Sequence, residues 1–320
     1  MTTPTRGNGS PPVAGSEDLS PEVRARLNAV PVLAGGAWHA EVLTGGLTNH
    51  NYAVTLGGKR YVARLSNPTG ALLAIDRDAE HACSVAAAST GVAPRVVDYA
   101  PDVGVLVIEW IEGRTFSPED LRDPATAPAV AVALKRLHGG PHFPVDFDMF
   151  AIQRRYLDVV RRNGYRLPER YLEFMPAVQR IQRALAARHE GTVPCHNDLL
   201  AANLIDDGRQ VWLIDYEYAG NNDACFELGN LWSESNLDDT RLDELVEHYY
   251  GRALRHKVAR ARLWGLMSKY GWTLWGAIQA GVSTLDFDFW SWGMEKYDRA
   301  VAEFDGPDLE RWLADAQRED

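Results

Sequence analysis

The chain has 320 residues, enough for two lobes of ordinary size and a substantial core. Hydrophobic residues make up 46% and charged residues 24%; the net charge of −11, without clustered Lys or Arg, excludes a broad nucleic-acid surface and suits a cationic small molecule better. Three cysteines (Cys83, Cys195 and Cys225) without a CxxC pair exclude a disulfide scaffold or zinc ribbon and point to a reducing compartment.

The first segment, "MTTPTRGNGSPPVAGSEDLS", is rich in Pro, Gly, Ser and Thr and has no apolar export core. It reads as a disordered tail over 1–19 of a cytoplasmic protein. "SPEVRARLNAVP" then predicts a short helix with Ser20 as N-cap and Pro21 at the first helical position. From His39 the period shortens to two. "NYAVTLGGKRYVARL" alternates on both sides of Gly57-Gly58 and predicts a β-hairpin. "AIDRDAEHACSVAAASTG" predicts an alanine-rich helix ending at Gly91, and "RVVDYAPDVGVLVIEWIEG" two more strands around a Pro-Asp turn. Past Gly113 the texture is helical, with "TAPAVAVALKRLHGG", "MFAIQRRYLDVVRRNG" and "PERYLEFMPAVQRIQRALAARH" at helix period. One β interruption, "NLIDDGRQVWLID", precedes long amphipathic helices to the end. The uncharged stretch Tyr270–Leu285 is too short and too broken by Gly, Thr and Gln to span a bilayer, so no membrane insertion is expected. The order predicts an α+β chain: a small β-rich lobe with one helix over 20–112 and a large helical lobe over 113–320.

Two hairpins organise the candidate site. In the second, residues symmetric about position 209 should face each other at about 5 Å, which puts Asn203 opposite Asp215. Asp198 lies on the loop just before. Such hard oxygen ligands suit Mg²⁺. In the first hairpin Arg64 should face Asn51, which follows the loop "TGGLTNH" at 44–50. Backbone N–H groups of Gly45, Gly46, Thr48 and Asn49 could cradle phosphates there, with Arg64 as fixed positive charge. The bland reading of Arg64 is a solvated strand charge.

"LTGGLTNHNYAV", "YVARL", "CHNDLLAANLI", "LIDYEYAGNNDACFELGN" and "WTLWGAIQAGVSTLDF" together resemble the choline/ethanolamine kinase family, within the aminoglycoside-phosphotransferase and protein-kinase-like superfamily. The likeness covers about 39 to 300, and the H-x-D-x4-N run followed by the Asp215 segment is its most specific part. It implies a protein-kinase-like two-lobe fold and an ATP- and Mg²⁺-dependent kinase of a small amine alcohol. By that resemblance Asp198 is the catalytic base, and Asn203 and Asp215 are the Mg²⁺ ligands. Arg64 takes the place of the protein-kinase lysine, with Glu80 as its ion-pair partner. Glu109 to Ile111 face adenine, and His196 braces the loop. Trp272, Trp275 and Trp292 surround the substrate ammonium, with Glu234 as the acidic partner.

The absence of GxGxxG, and "DYE" in place of DFG, separate the chain from protein kinases. Aromatic density favours choline, whereas ethanolamine would gain more from carboxylates. Asp286 and Asp288 keep an aminoglycoside acceptor open, and thiamine is another amine alcohol of the right kind. Cys195 and Asn197 read as bystanders. A zinc site from Cys195, His196 and Cys225 lacks standard spacing, and adjacent Cys195 and His196 are poorly placed as a nucleophile–base pair. A kinase-like protein that binds without catalysis is disfavoured because Asp198, Asn203 and Asp215 are all present.

Overall fold

The computed structural model of the chain describes residues 19–44 and 46–318; residues 1–18 of the expected tail and Gly45 of the expected phosphate loop lie outside them. The chain divides into two compact units, Met1–Asn67 with Val97–Trp110, and Pro68–Val96 with Ile111–Asp320.

In the first unit, α1 (Pro21–Asn28) starts at Ser20, whose Oγ accepts the Val23 N–H at 3.2 Å. Five strands follow: β1 (Trp38–Leu43), β2 (His50–Leu56), β3 (Lys59–Leu65), β4 (Val96–Ala100) and β5 (Val105–Glu109). They form one sheet in the order β1-β2-β3-β5-β4. Leu56 pairs with Lys59 across Gly57 and Gly58, whose φ angles of +57° and +78° are those of a two-residue hairpin turn. That turn sets the expected register, with Asn51 opposite Arg64. Leu27, Val30 and Leu33 pack with Ala40, Val54, Ala63, Leu65, Val105 and Val107 into a closed core.

The second unit opens with α2 (Arg77–Ala88), capped by Asp76. α2 belongs to this unit and not to that of the sheet, although the chain order suggested one lobe over 20–112. Local bonds give the reason: Cys83 Sγ reaches the Ala219 carbonyl at 3.7 Å, and Tyr156 Oη donates to the Leu73 carbonyl at 2.7 Å. Beyond it come β6 (Arg114–Thr115), α3 (Pro118–Arg122), α4 (Ala127–His138), α5 (Met149–Asn163) and α6 (Met175–Ala187). Short strands β7 (Val193–Cys195), β8 (Leu204–Asp206), β9 (Val211–Leu213) and β10 (Gly220–Asn222) lead to α7 (Ala224–Glu234), α8 (Asp239–Tyr250), α9 (Arg255–Val282), α10 (Phe289–Phe304) and α11 (Leu309–Asp315). β7 pairs with β10, and β6, β8 and β9 form a three-stranded sheet.

α9 is buried almost throughout and organises this unit. Two glycine pairs bring its neighbours to backbone contact. A Cβ on Gly229 of α7 would lie 2.8 Å from Gly265 N and collide with the Ala261 carbonyl. A Cβ on Gly276 would lie 3.0 Å from Gly293 Cα of α10. Only residues without a side chain allow such approach. The three helices that carry Glu234, Trp272, Trp275 and Trp292 are therefore locked side by side. Among the described residues no helix is long and apolar enough to cross a membrane, and Cys83, Cys195 and Cys225 are all buried and free.

Candidate active site

The loop from Cys195 to Asn203 is held from several sides. His196 is fully buried; its Nε2 lies 2.7 Å from the Ile214 carbonyl and its Nδ1 3.3 Å from the Asp198 nitrogen. The Asp198 N–H can only donate, so Nδ1 accepts and the proton sits on Nε2. One ring thereby ties the loop to the end of β9. Both ring nitrogens are turned to these partners, which removes His196 from any site with Cys195 and Cys225.

Asn197 is no bystander. It has φ +67°, and its Nδ2 donates to the carbonyls of Cys195, Tyr218 and Gly220 at 3.2, 3.0 and 3.1 Å. Its Oδ1 accepts from Asn222 Nδ2 at 2.9 Å, and its backbone N–H donates to Glu227 Oε1 at 2.6 Å. The left-handed backbone lets one amide close the gap between β7 and β10. Cys195 is also structural: burial pushes its thiol well up, so it is no nucleophile.

The expected pairing of Asn203 with Asp215 is one residue out. Leu204 pairs with Leu213, and the Ile214 N–H donates to the Asn203 carbonyl at 3.0 Å, so Asn203 lies opposite Ile214. The turn causes the shift. Asp206 Oδ1 accepts the Gly208 N–H at 2.8 Å, and Asp207 Oδ1 accepts from Arg209 and Gln210 at 2.7 and 2.8 Å. Gly208, at φ +81°, completes it. Asp215 itself has φ +74°, a left-handed conformation that aspartate tolerates better than most residues. Asn203 is buried, and its Nδ2 donates to the Asp198 carbonyl at 2.8 Å, which leaves Oδ1 as the acceptor end of the amide.

Asp198 is pushed well above the usual carboxylate range, by burial first and then by the negative charges of Glu234, Asp215 and Glu217; Lys296 acts in the opposite sense. Asp198 thus lies in the electrostatic field of Glu234, Asp215 and Glu217. Glu217 and Lys296 were not anticipated. Glu217 is buried and takes Arg77 Nη1 at 3.3 Å. The same Arg77 nitrogen lies 2.6 Å from Glu80 Oε2, a partner the sequence did not offer for Glu80.

The aromatic residues divide. Trp275 Nε1 donates to Tyr218 Oη at 3.0 Å, and its ring lies 5.1 Å from that of Trp292. Trp272 packs edge-on to Tyr218, 4.9 Å between centroids. Tyr218 therefore links all three expected tryptophans, directly or through Trp275. It lies three residues past Asp215 in "DYEY", which was the only sequence signal for it. Trp264 instead donates to Asp223 at 3.0 Å, and Trp290 stacks under Arg166 at 3.9 Å. Asp286 and Asp288 are exposed, and Asp288 caps α10 through the Ser291 N–H at 2.9 Å. That gives Asp288 a structural duty at the start of α10.

The residues expected to bind nucleotide fall mostly in the first unit. Asn49 and Arg64 are buried on and beside the loop that precedes β2, and Glu109 ends β5 opposite Tyr61. Gly46 is required by close approach: a Cβ there would lie 2.7 Å from the Asn49 carbonyl. Thr48 is on the same loop, whereas Ile111 opens the last segment of the second unit.

The chain belongs to the phosphotransferase enzyme family, whose model matches residues 39–264. Within that class it falls in the choline/ethanolamine kinase family: such a protein from Mesorhizobium loti is 33% identical, with a TM-score of 0.80 over 92% of this chain and 98% of that one. Human ethanolamine kinase 2 is 28% identical over 61% of this chain, and the match spans 57% of that relative. The solved structure of LicA in complex with AMP has a TM-score of 0.71 at 21% identity, over 92% of this chain and 98% of that one, and shares the kinase-like fold.

Proposed function

We propose that the chain is an ATP- and Mg²⁺-dependent small-molecule kinase that phosphorylates the hydroxyl of choline or ethanolamine. One observation carries this reading: Asp198 lies in the joint field of Asp215 and Glu234, on the unit that also gathers Trp272, Trp275 and Trp292 about Tyr218. A carboxylate for an acceptor hydroxyl, oxygen donors for a cation and aromatic faces for an ammonium are the groups this chemistry needs.

In the proposed reaction Asp198 orients the acceptor hydroxyl and takes its proton. The new O–P bond forms to the γ-phosphorus as the bond from that phosphorus to the β–γ bridging oxygen breaks, and ADP leaves. Asn203 Oδ1 and the Asp215 carboxylate would hold Mg²⁺; their hard oxygens fit it, and the crowding of negative charge about Asp198 is what a divalent cation offsets. When bound, the ion neutralises charge developing on the phosphates. Gly45, Gly46, Thr48, Asn49 and Arg64 are proposed to bind the phosphates, Glu80 to pair with Arg64, and Glu109 and Ile111 to meet adenine. The AMP complex of LicA supports a nucleotide ligand. On this reading 20–112 serve the nucleotide and 113–320 the catalysis and acceptor. Three free, buried cysteines support a cytoplasmic setting.

ADP release measured with choline, ethanolamine, thiamine and aminoglycosides tests the proposal. Turnover with choline or ethanolamine is expected. Turnover only with thiamine or an aminoglycoside would keep the kinase and overturn the acceptor. ATP binding without turnover of any alcohol would favour a non-catalytic binder.

A further inference from the structure

Lys296 already fills part of the expected head-group subsite. It lies four residues after Trp292 on α10, so the two side chains share a helix face. Its ammonium sits 4.2 Å from the Trp292 ring centroid and is ion-paired with Glu234 Oε2. The Lys296 and Glu234 side chains are 5% and 2% exposed, so this is a buried pair and no surface contact. A cation of the chain itself thus takes the Trp292 face and one of the two Glu234 oxygens. The other oxygen, Oε1, is buried and has no hydrogen-bond partner.

What remains for an incoming cation is therefore an acceptor that wants an N–H donor. A protonated primary amine supplies one. A trimethylammonium group has none, and would leave Oε1 unsatisfied while pressing its methyl groups toward the Lys296 ammonium. Resting on the reading of the chain as an amine-alcohol kinase, we propose that Lys296 is a specificity-determining residue: it holds Trp292 and Glu234 Oε2, so that the acceptor binds as a primary ammonium through Glu234 Oε1 and a quaternary ammonium is disfavoured. A site built to hydrogen-bond a substrate N–H rejects the analogue without it far more strongly than an apolar pocket discriminates a methyl group.

The test is steady-state ADP release with ethanolamine and with choline, for the wild type and for Lys296→Met, Lys296→Gln and Lys296→Arg. In the wild type, kcat/KM for ethanolamine should exceed that for choline by about 10- to 100-fold, the cost of an unsatisfied buried acceptor. Lys296→Met should cut that ratio at least about tenfold, chiefly through a lower KM for choline, because the Trp292 face is released. Lys296→Arg should keep the preference. If Lys296→Met does not fold, Lys296→Gln, which keeps a donor to Glu234 without the charge, should move the ratio the same way. A wild type that uses choline at least as well as ethanolamine overturns the inference and leaves the proposed kinase standing. A folded Met or Gln variant with an unchanged ratio also overturns it. Turnover of neither alcohol overturns the proposed function, and this inference with it.

Discussion

Glu227 accepts the backbone N–H of Asn197 at 2.6 Å and stands, fully buried, 3.6 Å from His138 Nε2. Asn197 is the residue before Asp198, so a side chain of α7 fixes the backbone of the proposed catalytic loop. Removing it in Glu227→Ala leaves a buried N–H without an acceptor beside a left-handed residue. The expected loss is about 3 kcal/mol of stability, read from urea unfolding midpoints. Activity should fall further than stability alone accounts for, because the Asp198 backbone loses its anchor.

The same residue gives a pH dependence. Burial pushes the Glu227 carboxyl up, but the His138 ring beside it, His196 further off and the Asn197 N–H outweigh that, and it ends below its ordinary 4.5. A carboxyl depressed in the folded state binds its proton more readily when unfolded. Its contribution is therefore full above about pH 4.5 and is lost as pH falls through the lower folded value. Glu227→Gln keeps an acceptor for Asn197 but not the charge. The stability difference between wild type and Glu227→Gln should be constant near neutrality and close below about pH 4.5. A difference that widens in acid would refute this account.

Gly229→Ala should be among the most damaging single substitutions in the second unit. The added Cβ would meet the Ala261 carbonyl and come within 2.8 Å of Gly265 N, both on α9. Neither obstacle is a flexible side-chain end, so α7 must shift bodily. The expected cost is about 3 kcal/mol or more. Because α7 ends in Glu234, the KM of the acceptor should also rise, even at temperatures where the variant stays folded. An unchanged melting temperature would show that the crossing is looser than described.

The sequence carried the hairpin of β2 and β3 well and that of β8 and β9 less well, for a physical reason. Gly57-Gly58 admits one tight turn, so Asn51 opposite Arg64 follows from counting. "DDGRQ" admits several turns. The one adopted is chosen by Asp206 and Asp207 side-chain bonds to backbone N–H groups, and it moves the partner of Asn203 by one residue. Residues with an unusual backbone were equally illegible. Nothing in the letters around Asn197 announces a positive φ, and three of its four side-chain bonds reach segments more than twenty residues away. Lys296 is illegible in the sequence because a lysine on an amphipathic helix ordinarily points to water; its burial depends on Glu234, 62 positions earlier. Asp198, Asn203 and Asp215 stand out in the letters because they sit close together in one short run with a recognisable spacing; the roles given to them are those proposed above.

Asn203→Ala removes a proposed Mg²⁺ ligand and the amide that bonds the Asp198 carbonyl at 2.8 Å. The Mg²⁺ concentration for half-maximal rate should rise by about 10- to 100-fold, the range seen when groups that support a metal site are removed. Titrating Mg²⁺ at saturating ATP gives the value directly. Asn203→Asp keeps a hard oxygen but gives up the N–H donor to the Asp198 carbonyl, so it should recover Mg²⁺ affinity and not full kcat. Equal Mg²⁺ curves for wild type and Asn203→Ala would remove Asn203 from the metal site.

Asp198→Asn separates chemistry from binding. The substitution is nearly isosteric, and the backbone contacts to His196, Leu200 and Asn203 use main-chain atoms of residue 198 and survive it. Only the carboxylate is lost, and with it the proposed acceptor for the substrate hydroxyl proton. Positioned proton transfer of this kind contributes about 10²- to 10⁴-fold, so kcat should fall by that factor. The dissociation constant of ATP, followed by tryptophan fluorescence or calorimetry, should stay within about twofold of wild type, because Asp198 is assigned to the acceptor and not to the nucleotide. The two readouts exclude different errors. Normal turnover in the variant would mean that another group takes the proton. Lost ATP binding would mean that Asp198 supports the nucleotide or its metal ion, and that its crowding by Asp215 reflects a shared cation site.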